Sequence, residues 1–155
     1  MKKILYCALL GTLSSSALLA EDKVDFEKQV YPLIKTSCVT CHRPAYDETK
    51  DGQTRTKKPK AGIVFSTKEG ILTAKGEDEK LVLVPGDADK SRMLQVTLLP
   101  IDDDMHFPPK DKAPQWTKAD QELFAKWIKS GADFGSWTAD PAPNEGLEWD
   151  GKEKP

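Results

Sequence analysis

The pentapeptide Cys38-Val39-Thr40-Cys41-His42 constrains this chain more than any other feature. Two thiols three positions apart on a helical turn can add across the two vinyl groups of a haem. The next residue then faces the iron. The C-x-x-C-H pattern is accordingly the attachment signature of a c-type haem. One imidazole nitrogen of His42 binds the iron, and the other donates a hydrogen bond that fixes the ring. Cys38, Cys41 and His42 are thus the first cofactor-binding residues, and His42 is the proximal metal ligand.

Other chemistries fit the pentapeptide less well. Structural zinc needs four ligands. Once a leader is removed, the chain offers Cys38, Cys41, His42 and one further histidine, His106. Adjacent Cys41 and His42 also point awkwardly for one tetrahedron. A thioredoxin-like C-x-x-C wants a strand before it and a helix after it, whereas here a helix precedes and a polar loop follows. A plain disulfide leaves His42 without a purpose.

Lys2 and Lys3 begin the chain, an apolar run starts at Ile4, and small residues lead to Ala20 before charge starts at Glu21. This is the order of a secretory signal peptide over residues 1–20, with Cys7 leaving alongside it. The run is too short and too interrupted by serine to span a membrane, and no other segment could. Export and C-x-x-C-H support each other, because bacteria attach haem covalently outside the cytoplasmic membrane. The expected location is therefore periplasmic or otherwise exported.

The full chain of 155 residues carries a net charge of −2, and the leader takes two lysines with it, so the remainder is more acidic still. Such a balance argues against a nucleic-acid partner. The length fits one domain over residues 21–134, followed by a tail or strap over 135–155. Apolar residues make up 38% of the whole chain, and the leader holds a disproportionate share of them. The remaining core is lean, and a bound cofactor would help it fold.

A helix is expected from Val24 to Ser37, capped by Asp25, with Phe26, Val30, Leu33 and Ile34 at helical spacing and a kink or a break in the turn before Pro32. Arg43 to Lys60 reads as a charged, solvent-exposed loop. Ala61 to Phe65 and Leu81 to Val84 read as short extended runs. Ser66-Thr67-Lys68-Glu69 opens a short helix as a capping box. Another helix starts at Asp89 or Ser91 and ends at Pro100. Thr117-Lys118-Ala119-Asp120 caps the clearest helix, with Leu123, Phe124, Trp127 and Ile128 on its apolar face and Gly131 closing it.

The sixth iron position has few candidates. Haem iron in electron carriers is usually closed by Met or His. Met93 lies on the apolar face of a helix, where it reads first as core. Met105-His106-Phe107-Pro108-Pro109 lies in irregular chain stiffened by two prolines. Met105 is the first distal candidate, His106 its rival, and an open position the third reading. Asp102, Asp103 and Asp104 read as a solvated turn before a calcium site. Arg43, Lys57, Lys58 and Lys60 read as a solvated surface, with steering of an acidic redox partner as the functional alternative.

From about Asp25 to Phe134 the chain resembles the planctomycete-type cytochrome c domain, a class I-like c-type family. The residues that carry the resemblance are Phe26 with Val30-Tyr31-Pro32-Leu33, the Cys38–His42 motif, and Ala61-Gly62-Ile63. Val84-Pro85-Gly86-Asp87 with Lys90-Ser91 and Leu94 follow, then Asp102-Asp103-Asp104 with Pro108-Pro109, and last Trp127 to Ala132. The resemblance implies a mostly α, small class I-like fold with long irregular loops, one covalent haem c and a His/Met iron. In one place the chain departs from that pattern. The family typically carries Met directly before the Pro-Pro pair, where this chain has Phe107. The distal ligand therefore does not carry over by position.

Together these readings describe a secreted monohaem c-type cytochrome that passes single electrons to redox partner proteins. The rivals are a peroxidase-like haem enzyme and a gas-binding sensor, both of which need an open distal side.

Overall fold

Helical structure begins at Asp25, whose carboxylate accepts the Lys28 N–H at 3.1 Å. The computed structural model describes residues 23–149 and residue 151, so the leader read at residues 1–20 lies outside them. Two wide π-type turns, Phe26–Val30 and Lys35–Val39, flank helix α1 (Tyr31–Ile34). Pro32 sits in the first turn of α1. Its missing donor does not break the helical run. The turns on either side widen instead, and the run continues to Val39, so that Cys38 lies on its last turn.

The segment read as a loop from Arg43 to Lys60 is exposed but not irregular. Strands β1 (Tyr46–Lys50) and β2 (Gln53–Lys57) pair antiparallel, with Tyr46 opposite Lys57 and Lys50 opposite Gln53. Asp51 and Gly52 connect them at φ of 52° and 73°, the positive values that a tight hairpin turn demands. Cross-strand pairs hold this ribbon: Thr49 with Thr54 at 2.9 Å, Thr56 with Asp47 at 2.6 Å, and Lys57 with Glu48 at 3.3 Å.

Helix α2 (Lys68–Thr73) starts one residue later than a Ser66 cap would place it, because the Thr67 hydroxyl accepts the Gly70 N–H at 2.9 Å. Helix α3 (Arg92–Leu98) follows the Pro85-Gly86 turn. Helix α4 (Lys118–Lys129) carries the complete capping box of Thr117 and Asp120. Between these short helices the chain is rich in Pro, Gly and charge and stays irregular. Only 33% of the structure is helical, beside a two-stranded sheet. The mostly α, class I-like expectation is therefore corrected to a mixed architecture. Residues 74–90 and 99–116 lack the apolar periodicity that would extend helices into them, and residues 46–57 pair as a hairpin.

The core joins distant parts of the sequence through aromatic rings. Phe26 lies 5.0 Å from Trp127, 4.5 Å from Phe134 and 4.8 Å from Trp137, and Trp127 is 5.4 Å from Phe124. Such offset and edge contacts add to the large apolar area each ring buries. The Trp127 indole N–H donates to the Asp133 carbonyl at 2.8 Å. From Gly135 to Ala142 the chain lies as a strap across the N-terminal helical run. Trp137 packs 4.6 Å from Tyr31. Asp140 accepts the Tyr31 hydroxyl at 2.7 Å and pairs with Lys35 at 2.8 Å.

Candidate functional site

The C-x-x-C-H motif closes the N-terminal helical run. The His42 N–H donates to the Cys38 carbonyl at 3.0 Å, so the two side chains stand one helical turn apart on one face. The segment after the hairpin clips onto the motif. The Lys60 N–H donates to the Cys41 carbonyl at 3.0 Å, and the Phe65 N–H to the His42 carbonyl at 2.8 Å. Backbone bonds on both sides thus fix the position of His42 before any ligand is considered.

Cys38 and His42 form one wall of a cavity of about 1770 Å³. Its other walls come from Ile63 to Phe65, from α2 and α3, and from the Met105–Pro109 loop. That volume exceeds the usual range for small-ligand pockets, roughly 300–1,000 Å³, and leaves room for a tetrapyrrole. Cys41 is half-buried just outside this wall. Both cysteines are free thiols. Burial, with a smaller effect from Cys41, pushes the Cys38 thiol up to about 12.

His42 carries the clearest chemical signal. Its Nδ1 is buried and makes no well-formed hydrogen bond. Burial pushes its pKa below the usual imidazole value. The nearby Ile63 and Lys60 backbone pulls the other way, and the Lys60 charge adds to the lowering. The ring is thereby kept neutral, the form that ligates metals. Phe65 packs on it at 4.9 Å, and Phe107 of the Met105–Pro109 loop touches it at 5.8 Å. A buried imidazole held neutral, a thiol one turn away and a large cavity together form a donor set that fits a haem.

Residues 38–111 match the family described as Planctomycete cytochrome C. The family resemblance read in the sequence is thereby shown over just under half of the chain, a shorter stretch than residues 25–134. Over this segment the chain is similar to a cytochrome c family, whose description implies haem c. No curated protein and no solved structure matches the chain.

Within the matched segment the three residues read as distal candidates stand in different surroundings. Met93 is buried and borders the cavity, with its N–H held by the Val82 carbonyl at 2.8 Å. Met105 and His106 border it too, but Met105 is 57% exposed. His106 places Nδ1 2.8 Å from the Leu99 carbonyl and Nε2 2.7 Å from Gln115 Oε1. Asp103, in the acidic run, accepts the Met105 N–H at 2.8 Å. Among the described residues no three His, Cys, Asp or Glu side chains gather to hold a metal ion.

Sequence reasoning placed Trp116 on the haem or the core, but missed how parts of the wall are fastened. Trp116 donates its indole N–H to Ser37 Oγ at 3.0 Å, and Ser37 donates to the Pro114 carbonyl at 3.1 Å. This link fastens residues 114–116 to the helical turn that carries Cys38. Gly70 is another: a Cβ there would lie 2.0 Å from the Val64 carbonyl oxygen. Its signal was present in the sequence, since a glycine inside a helix costs stability unless a close backbone approach requires it.

Proposed function

We propose that the chain is an exported monohaem c-type cytochrome that passes single electrons between redox proteins. The observation that carries this reading is Cys38 and a buried His42 one helical turn apart on a single cavity wall. In this reading the Cys38 and Cys41 thiols each add across one vinyl group. Sulfur bonds to one carbon, the thiol hydrogen goes to the other, and no electron is gained or lost. His42 is the proximal ligand. A bound haem supplies a reversible one-electron couple.

The chain's residues do the rest. The Cys41–Lys60 and His42–Phe65 backbone bonds hold the imidazole in place. Phe65, Trp116 and Met93 exclude water from the wall around it, and a drier site strengthens every charge interaction within it. Redox partners are proposed to dock beside Cys41, where Arg43, Lys57, Lys58 and Lys60 gather at the foot of the hairpin. The leader at residues 1–20 supports export. Among the described residues no helix is long and apolar enough to cross a membrane.

Intact-mass measurement of the purified chain tests the reading. One haem that acid-acetone does not extract is expected, with attachment weakened or lost in Cys38→Ala and little stable holoprotein in His42→Ala. Freely extracted haem, or zinc alone, would sink it.

A further inference from the structure

Four large apolar side chains stand well exposed among the described residues, and three of them share one short stretch: Leu98 (57%), Ile101 (46%) and Met105 (57%). Single exposed apolar residues are ordinary, but a cluster marks a contact surface. The stretch is folded tightly onto the end of α3. The Phe107 N–H donates to the Val96 carbonyl at 3.0 Å, and a His106 ring nitrogen lies 2.8 Å from the Leu99 carbonyl. Inside it the Asp103 N–H closes on the Pro100 carbonyl and the His106 N–H on that of Asp103, both at 2.9 Å. Leu98, Ile101 and Met105 are thereby gathered at one corner of the molecule. Met105 and the fourth exposed residue, Leu81, both line the cavity, so this corner reaches the mouth of the proposed haem site.

The corner is acidic. Asp102, Asp103 and Asp104 run between Ile101 and Met105, and all three are exposed. Of the cations at the cavity mouth, Lys75, Lys80 and Lys90 are paired within the chain to Glu79, Asp78 and Asp87. Arg92 stands at the other end of α3 from Leu98, and Lys110 and Lys112 follow beyond the proline pair. We infer that Leu98, Ile101 and Met105 form a docking surface for a second protein, one whose apolar contact area is bordered by lysines or arginines. Apolar contact supplies the cover these side chains lack, and charge complementarity steers and orients the approach. Two other occupants fit less well. A second copy of the chain offers cations on its hairpin, but strand residues 47–50 and 53–57 are polar throughout and cover nothing apolar. An anionic lipid surface is repelled by the aspartates. The hairpin feet proposed above suit an acidic partner, so the chain carries two docking surfaces of opposite charge. That electrons pass at this second surface rests on the haem reading; the docking itself does not.

The test uses the purified full-length protein, isotope-labelled for amide NMR and titrated with a lysine-rich cytochrome c at low salt. Shifts are expected at residues 98–106 and not at 46–57. Leu98→Ser and Ile101→Ser, both at exposed positions, should each weaken binding roughly fivefold or more. Asp102→Asn combined with Asp104→Asn should weaken it too and flatten its dependence on salt. No shifts, shifts confined to the hairpin, or unchanged affinity in either serine variant overturns the inference. So do concentration-dependent shifts without the probe, which assign the corner to a second copy. Shifts produced by phosphatidylcholine vesicles but not by the probe overturn it as well, and assign the corner to lipid. Shifts at 98–106 in a chain that carries no covalent haem leave the docking surface standing and overturn the electron-transfer reading instead.

Discussion

The two halves of the molecule solve opposite problems. In one, Phe26, Tyr31, Phe124, Trp127, Phe134 and Trp137 close on one another, and Trp127 and Phe124 are fully buried. In the other, residues 61–109 wind through two short helices and irregular chain around a hollow of about 1770 Å³. The first half is held by side chains that fill space. The second is held by backbone bonds that keep space open, among them Phe65 to His42, Met93 to Val82 and Phe107 to Val96. Stability and cofactor binding are therefore divided between regions. A substitution should affect one before the other.

The sharpest way to break this comparison is Trp127→Ala. Removing a fully buried indole should cost about 3–5 kcal/mol, read as a fall in the denaturant midpoint. A loss below about 1 kcal/mol, the scale of an ordinary surface change, would mean that the aromatic half is not the keystone. On the cavity side the sensitive point is backbone. Gly70→Ala forces a methyl group against the Val64 carbonyl oxygen and should cost about 1–3 kcal/mol. It should also lower the yield of haem-loaded protein, measured by the haem-to-protein absorbance ratio. Unchanged yield would detach α2 from the cavity's upkeep.

Asp140→Asn probes the strap and should cost about 1–3 kcal/mol, because it weakens a largely buried pair with Lys35 and the bond from Tyr31. Burial alone would raise the Asp140 carboxyl. Hydrogen bonds from Lys35, Tyr31 and the Ala142 N–H, with the Lys35 charge, outweigh it and hold the pKa below the ordinary 3.8. The folded chain thus binds this proton less readily than the unfolded one. The contribution is complete above pH 3.8 and is lost as pH falls through the lower folded value. Acid titration of Trp fluorescence should show the wild type losing this stability in that range and Asp140→Asn lacking the step. The smallest effect belongs to the hairpin. Thr54→Ala and Arg55→Ala should stay within about 0.5 kcal/mol of wild type, and proteolysis near Lys57-Lys58 should leave the haem spectrum unchanged.

The pattern of what the sequence disclosed follows from the same division. Helix α4 was legible from Thr117, Asp120 and its apolar spacing, because cap and periodicity are local. So was the start of the first helix at Asp25. The hairpin was not legible as strand. Its alternation runs among polar and charged residues, and neither face is buried, so no apolar stripe marks it; only Asp51-Gly52 signalled the turn. The fate of residues 135–142 was undecidable, because Trp137 acquires meaning only against Phe26 and Tyr31, over a hundred positions away. At the candidate site Cys38, Cys41 and His42 stood out as a contiguous motif. The place of Phe107 depends on how a proline-rich loop is tied to α3 through the Val96 carbonyl, which no spacing rule encodes.

The bond from the Lys60 N–H to the Cys41 carbonyl has a further consequence. It fastens the two feet of the hairpin together beside the C-x-x-C-H motif, so whatever lies between them is a closed excursion from the fold. Lengthening such an excursion adds only a slowly growing entropic cost. The position is thus a natural port. A reporter peptide, a docking sequence or a whole second module could be inserted at Asp51-Gly52 and held near the C-x-x-C-H motif, without asking the cavity to change.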